Sequence, residues 1–259
     1  MNWSLGIGRW ALVIVALLLT NELFANEITT IAGTGKKEYS GDGGLARDAG
    51  AGEPYGLTIG PDGALYFCDI AFHVIRRVDK EGRISTVAGS GKKGYAGDGG
   101  SATKALLAEP YEIKFDTDGA MYFVEMVNNL VRKVDRSGTI STIAGTGQSG
   151  FSGDGGPARE ATFNKPHSIA LDGKGSLFVC DIGNQRVRRV ELKTGHVTTF
   201  TGTGEKSVPT DGSSFINAAV SGPRAIDFTS KGDAILTLRE GNSVYRLDLA
   251  GTQFVHLAG

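Results

Sequence analysis

Beyond the first 26 residues, apolar positions fall in runs of about five, separated by glycine turns, which is strand length and too short for a helix. One set reads "ALYFCD", a mixed apolar run, then "VIRRVD", which alternates, then "ISTVAG" after a second glycine turn. The order returns as "AMYFVE", "LVRKVD", "ISTIAG", then as "SLFVCD", "RVRRVE", "VTTFTG", and finally as "AILTLR", "VYRLD", "FVHLAG". Each set follows an apolar run that opens on proline: "EPYGLTIG", "EPYEIKFD", "KPHSIALD" and "GPRAIDFT". The closing element recurs at Ile31, Val87, Ile143, Phe200 and Leu257, at spacings of 56, 56, 57 and 57. So regular a period marks a repeat architecture, and four short strands per repeat predict a propeller blade.

The fold expected is therefore all-β, a β-propeller of four-stranded antiparallel blades. In the first blade, strands are predicted over residues 57–59, 65–69, 74–79 and 85–88, with equivalents 56 or 57 residues on. Helix is limited to a turn or two around Ala46, Ala102 and Ala158, since "ARDAGAG" and its equivalents alone approach a 3.6-residue period. Four blade units are present, together with an extra N-terminal outer strand, "ITTIAG", over residues 28–33.

In the first three units the pattern P-x-x-[IL], G-x-[LM]-[YF], D and [VI]-R-[RK]-[VI] resembles the NHL-repeat β-propellers. The "SGDGGPA" loop of the extended blades is similar to the secreted bacterial type of that family. The resemblance implies a six-bladed ring, so a chain with four units is expected to be incomplete at its C-terminus. Open ends would expose strand edges and apolar blade faces, which leads to an expectation of self-association.

The first 25 residues read differently: Arg9, the apolar core "ALVIVALLL" and the small Ala25 predict a signal peptide over 1–25, with the propeller over 26–259. An uncleaved N-terminal anchor is the alternative, but the apolar stretch is short of the roughly 20 residues that span a bilayer. The expected location is secreted or periplasmic. Charge is balanced, with 27 Lys and Arg against 28 Asp and Glu, which disfavours nucleic acid and an anionic membrane as partners. Cys68 and Cys180 occupy matching slots of units that are not neighbours, so they are expected as buried free thiols.

Gly145, Gly147 and Gly150 match G-x-G-x-x-G, but no crossover helix follows, and the first unit has Glu38 where the third glycine should be. A dinucleotide loop is excluded on that context. The "GDGG" of each loop is read as a turn, with Asp42, Asp98 and Asp154 accepting from the backbone amides that follow and Tyr39, Tyr95 and Phe151 pinning the loop. One member of each basic pair, Arg76 and Arg77, Arg132 and Lys133, Arg188 and Arg189, is expected in inter-blade ion pairs and the other in solvent.

Candidate ligand-binding residues follow from propeller geometry. The residue after each blade-opening proline stands at the channel mouth: Tyr55, Tyr111, His167 and Arg224. The second strands end on the same face in Asp69, Glu125 and Asp181, with Leu238 in the fourth unit; Glu125 and Asp181 join the candidates, although a structural role satisfying backbone amides competes. One hypothesis is a binding module for a protein, peptide or carbohydrate, without a cofactor or catalytic residues. The alternative is a lactonase-, hydrolase- or lyase-like propeller enzyme with an axial metal, calcium or zinc. By resemblance, "KPHSIAL" is similar to a zinc-ligand segment of peptidyl-hydroxyglycine lyases, yet His167 alone fills such a slot. Glu112, Glu125 and Asp181 are the calcium candidates.

Overall fold

The alternating runs pair into four antiparallel sheets, each of four strands in sequence order. The computed structural model describes residues 28–259, so the expected signal peptide lies outside the described residues. Blade 1 comprises β1 (Pro54–Ile59), β2 (Leu65–Asp69), β3 (Val74–Val78) and β4 (Ile84–Ala88). Blade 2 comprises β5 (Pro110–Phe115), β6 (Met121–Glu125), β7 (Leu130–Val134) and β8 (Ile140–Ala144). Blade 3 comprises β9 (Pro166–Leu171), β10 (Ser176–Asp181), β11 (Arg186–Glu191) and β12 (Val197–Thr201). Blade 4 comprises β13 (Pro223–Phe228), β14 (Ala234–Leu238), β15 (Ser243–Asp248) and β16 (Gln253–Ala258). Inner strands of successive blades lie together, β1 beside β5, β5 beside β9 and β9 beside β13. Short 3-10 turns fall where expected, at Ala46–Asp48, Ala102–Lys104 and Ala158–Glu160, and a further one at Ile182–Asn184.

The core lies between the blades. Tyr66, Cys68 and Ile75 of blade 1 pack on Ile113, Met121 and Phe123 of blade 2. Val124 and Val131 pack on Ile169, Leu177 and Val190 of blade 3, and Phe178, Cys180 and Val187 on Ile226, Leu236 and Leu247 of blade 4. Each such side chain contributes about 1.5–3 kcal/mol on burial. Both cysteines are free and fully buried, as expected. A second link joins each blade to the next. His73, Asn129 and Gln185, all at positive φ, use side-chain acceptors to take the backbone N–H of Glu109, Lys165 and Gly222 at 3.3, 2.8 and 2.6 Å.

One expected strand is absent. Residues 28–33 carry the outer-strand sequence but run as coil and bend. The segment still ends in the repeat's geometry: Gly33 N–H donates to Ala46 O at 2.9 Å, as Gly89 does to Ala102 and Gly145 to Ala158.

The "GDGG" loops are turns, but their aspartates do a different job from the one expected. Asp98 accepts from Arg132 Nη2 at 2.7 Å and from the N–H of Thr142 in β8 at 3.0 Å, rather than from the amides just after it. Asp42 does the same with Arg76 and Thr86, and Asp154 with Arg188 and the Thr199 hydroxyl. The loop is thus fastened to its own blade, and backbone exchange between Gly99, Gly100 and Ile140 covers the outer edge. This also corrects the expected inter-blade ladder. Arg76, Arg132 and Arg188 have no exposure and pair with the loop on the same blade, because β3, β7 and β11 turn these residues under it. The pinning aromatics behave as expected: Tyr39 and Tyr95 hydroxyls reach Thr86 and Thr142 at 2.8 and 3.0 Å, and Arg188 lies 4.9 Å over Phe151. Blade 4 replaces the buried arginine with Tyr245, whose hydroxyl donates to Pro209 O at 2.6 Å.

Candidate functional site

Four prolines set the mouth. Pro54, Pro110, Pro166 and Pro223 open β1, β5, β9 and β13, each facing the last residue of the neighbouring strand: Asp69, Glu125, Asp181 and Leu238. A proline lacks the N–H a ladder would need, so it suits the first residue of an inner strand. The residue after each proline is thereby presented in the same way.

The structure brings all four of these residues together. The Tyr55 and Tyr111 rings are 4.6 Å apart and those of Tyr111 and His167 are 4.1 Å apart. Arg224 Nη2 donates to the Tyr111 hydroxyl at 3.2 Å, with the guanidinium 5.7 Å from the ring centroid. Tyr55 is 39% exposed, whereas His167 is 6% exposed and neither of its ring nitrogens has a partner among the described residues. Burial first, and then the Arg224 and Arg239 charges, hold the His167 pKa down to about 4, so the imidazole is neutral at pH 7. Burial likewise raises Tyr111 above the ordinary phenol range.

Glu125 and Asp181 do not open on this cluster. Both are fully buried, and their oxygens are occupied. Glu125 accepts from Ala108 N–H, Asn128 and Arg132 at 2.7, 2.8 and 2.6 Å. Asp181 accepts from Asn164 N–H and Asn184, both at 2.7 Å, and Asp69 from the amides of Gly52 and Glu53. Burial raises the pKa of both Glu125 and Asp181, the latter to about 6, against the lowering effect of these donors. The strand-end carboxylates therefore hold in place the loop that leads into the first strand of their own blade.

Lys114 and Arg239 escaped the sequence reading. Lys114 on β5 meets Asp227 on β13 at 3.0 Å and Glu112 at 3.8 Å, spanning from blade 2 to blade 4. Arg239 follows β14, and its N–H donates to Gly222 O at 2.8 Å, which sets it beside the start of β13. The signal available was the residue type one step beyond the strand-end slot, where Arg239 follows Leu238. Among the described residues, no three His, Cys, Asp or Glu side chains converge as a metal site would require. Gly145, Gly147 and Gly150 follow the outer strand β8 and precede a 3-10 turn, which confirms that they are no dinucleotide loop.

Comparison with known proteins agrees with the blade pattern. The family model of the teneurin NHL domain matches residues 91–151. The chain is 26% identical to teneurin-1 of Gallus gallus over 337 residues, covering 91% of this chain and 12% of the relative. It is 27% identical to protein SUPPRESSOR OF QUENCHING 1, chloroplastic, of Arabidopsis thaliana over 177 residues, covering 65% of this chain and 17% of the relative. The chain thus spans less than a fifth of these relatives' lengths. A catalytically inactive virginiamycin B lyase from Staphylococcus aureus, solved with quinupristin, superposes with a TM-score of 0.54 at 18% identity, covering 83% of this chain and 61% of that one. That likeness is one of fold. The blades are those of a β-propeller, and residues 91–151 are similar to the NHL domain of teneurins.

Proposed function

We propose that this chain is an exported, non-catalytic binding module that recognises a ligand through the face carrying Tyr55, Tyr111, His167 and Arg224. One observation carries the reading. Tyr111 touches each of the other three, yet the four differ in chemistry at a position where the surrounding framework repeats from blade to blade. Packed, tilted aromatic rings beside a half-buried guanidinium are the composition of a recognition surface. The ligand is a protein, peptide or carbohydrate, and the location is secreted or periplasmic after removal of residues 1–25. N-terminal sequencing of the exported protein tests the location, with residue 26 expected first.

The binding test uses Tyr55→Ala and Arg224→Ala, because His167 is buried and its truncation would confuse binding with stability. A ligand found by glycan or peptide array should lose at least tenfold in affinity to either change, while the melting temperature stays within about 2 °C. Retained affinity in both variants places recognition elsewhere.

A further inference from the structure

The loops around the mouth carry unequal charge. Before the blade-opening prolines stand Glu53, Glu109, Lys165 and Gly222. The two acids have lysines of their own, Lys37 at 2.5 Å and Lys93 at 3.5 Å, and nearby Glu240 pairs with Lys206 at 2.7 Å. Among the described residues Lys165, Arg224 and Arg239 have no carboxylate within 4.0 Å, whereas Arg76, Arg132, Arg188 and Arg246 all do. Arg224 is half-buried and has only the Tyr111 hydroxyl to donate to, leaving most of its five N–H groups available. Beside the Tyr111 ring, His167 offers one donor and one acceptor, both without a partner among the described residues.

We propose that the mouth takes a ring-bearing carboxylate of the uronic-acid class. The acid group sits on the Arg224 guanidinium with Arg239 nearby, and the C–H face of the ring lies on Tyr55 and Tyr111. Guanidinium matches carboxylate in a paired, planar geometry, and a charge-assisted bond is about twice as strong as a neutral one. The exposed Tyr55 ring, set against Tyr111, supplies the flat apolar surface that a sugar ring needs. A ligand hydroxyl, donor and acceptor at once, matches what His167 lacks. The inference rests on the mouth being the binding face.

The probes are an oligogalacturonate and its fully methyl-esterified counterpart, which has the same rings without the charges, each titrated calorimetrically against the wild type and three variants. The acid should bind at least tenfold more tightly than the ester. Arg224→Gln should erase that difference by weakening the acid about ten- to a hundredfold, and Arg239→Gln should lower it less. Tyr55→Ala should weaken both probes. Equal affinity for acid and ester, with Tyr55→Ala still damaging, overturns the acid preference and leaves the mouth as the site. Affinities that none of the three variants changes overturn both. Failure of both probes to bind at millimolar concentration overturns the uronate assignment, and a ligand from the array that still needs Tyr55 would keep the mouth. Tetraglutamate, a carboxylate without a ring, should bind at least tenfold more weakly than the uronate; equal binding overturns the ring requirement.

Discussion

A guanidinium with no solvent exposure sits between two carboxylates in blade 2: Arg132 Nη1 lies 2.6 Å from Glu125, and Nη2 lies 2.7 Å from Asp98. Removing it strands the fully buried Glu125, so Arg132→Ala should cost about 3–5 kcal/mol in urea denaturation. Arg77→Ala, whose pair with Asp62 is 29% and 37% exposed, should cost at most about 1 kcal/mol. Equal losses would mean that burial is not what makes the first arginine matter. His167 gives a pH signature. The unfolded imidazole takes its proton near 6.5, whereas the folded one resists until about 4. Its contribution to stability is therefore full above pH 6.5 and is lost as the pH falls towards 4. Asp181, raised to about 6 from 3.8, works oppositely, holding a proton below pH 6 that the unfolded chain has released. The stability difference between wild type and His167→Gln isolates the histidine and should shrink between pH 7 and 4.5. An NMR titration midpoint for His167 at 6 or above would show a solvated ring instead. That the residues after the blade-opening prolines come together was legible from the proline spacing. That Glu125 and Asp181 are consumed by amides and buried arginines was visible only as a competing reading, because residue type does not reveal what a carboxylate accepts.

Strands were legible to within about three residues because each is a short apolar run between glycine turns, and the period repeats the evidence. Residues 28–33 share that pattern but run as coil and bend, since an apolar run becomes a strand only when a partner strand takes its hydrogen bonds, which the local pattern does not show. The covering loops were harder to read. Their aspartates reach arginines 34 residues away, a distance that local turn chemistry does not anticipate. Two glycines of one loop separate backbone conformation from close packing. Gly153, at φ 88°, would bring a Cβ within 2.7 Å of Ala161, whereas Gly155, at φ 84°, would meet nothing within 4 Å. Gly155→Ala should cost about 1 kcal/mol for the left-handed backbone alone. Gly153→Ala should cost at least about 1 kcal/mol more, because the Ala161 backbone must also shift. Similar losses in the two variants would mean that the loop yields freely at Ala161.

Repetition gives the same slot different surroundings along the array, and that makes packing testable across the whole molecule. Ile113, Ile169 and Ile226 are 1%, 0% and 2% exposed because a preceding blade covers each, whereas Leu57, in the same slot of blade 1, is 63% exposed. Ile59 is 65% exposed, although its equivalents Phe115, Leu171 and Phe228 are partly buried. Side-chain identity is therefore the wrong guide to stability here. Ile113→Ala should cost about 2–5 kcal/mol, the usual loss for a buried aliphatic side chain that leaves a cavity. Leu57→Ala should stay within about 0.5 kcal/mol, as exposed substitutions do. In a repeat array each unit is supported chiefly by its neighbours, so the Ile113 variant should also raise amide exchange across the junction of blades 1 and 2 while leaving that of blades 3 and 4 near its native level. A large loss from Leu57→Ala would show that another surface covers blade 1 in solution. In that case the loss should vary with protein concentration if the cover is a second copy, and stay constant if it comes from the same chain.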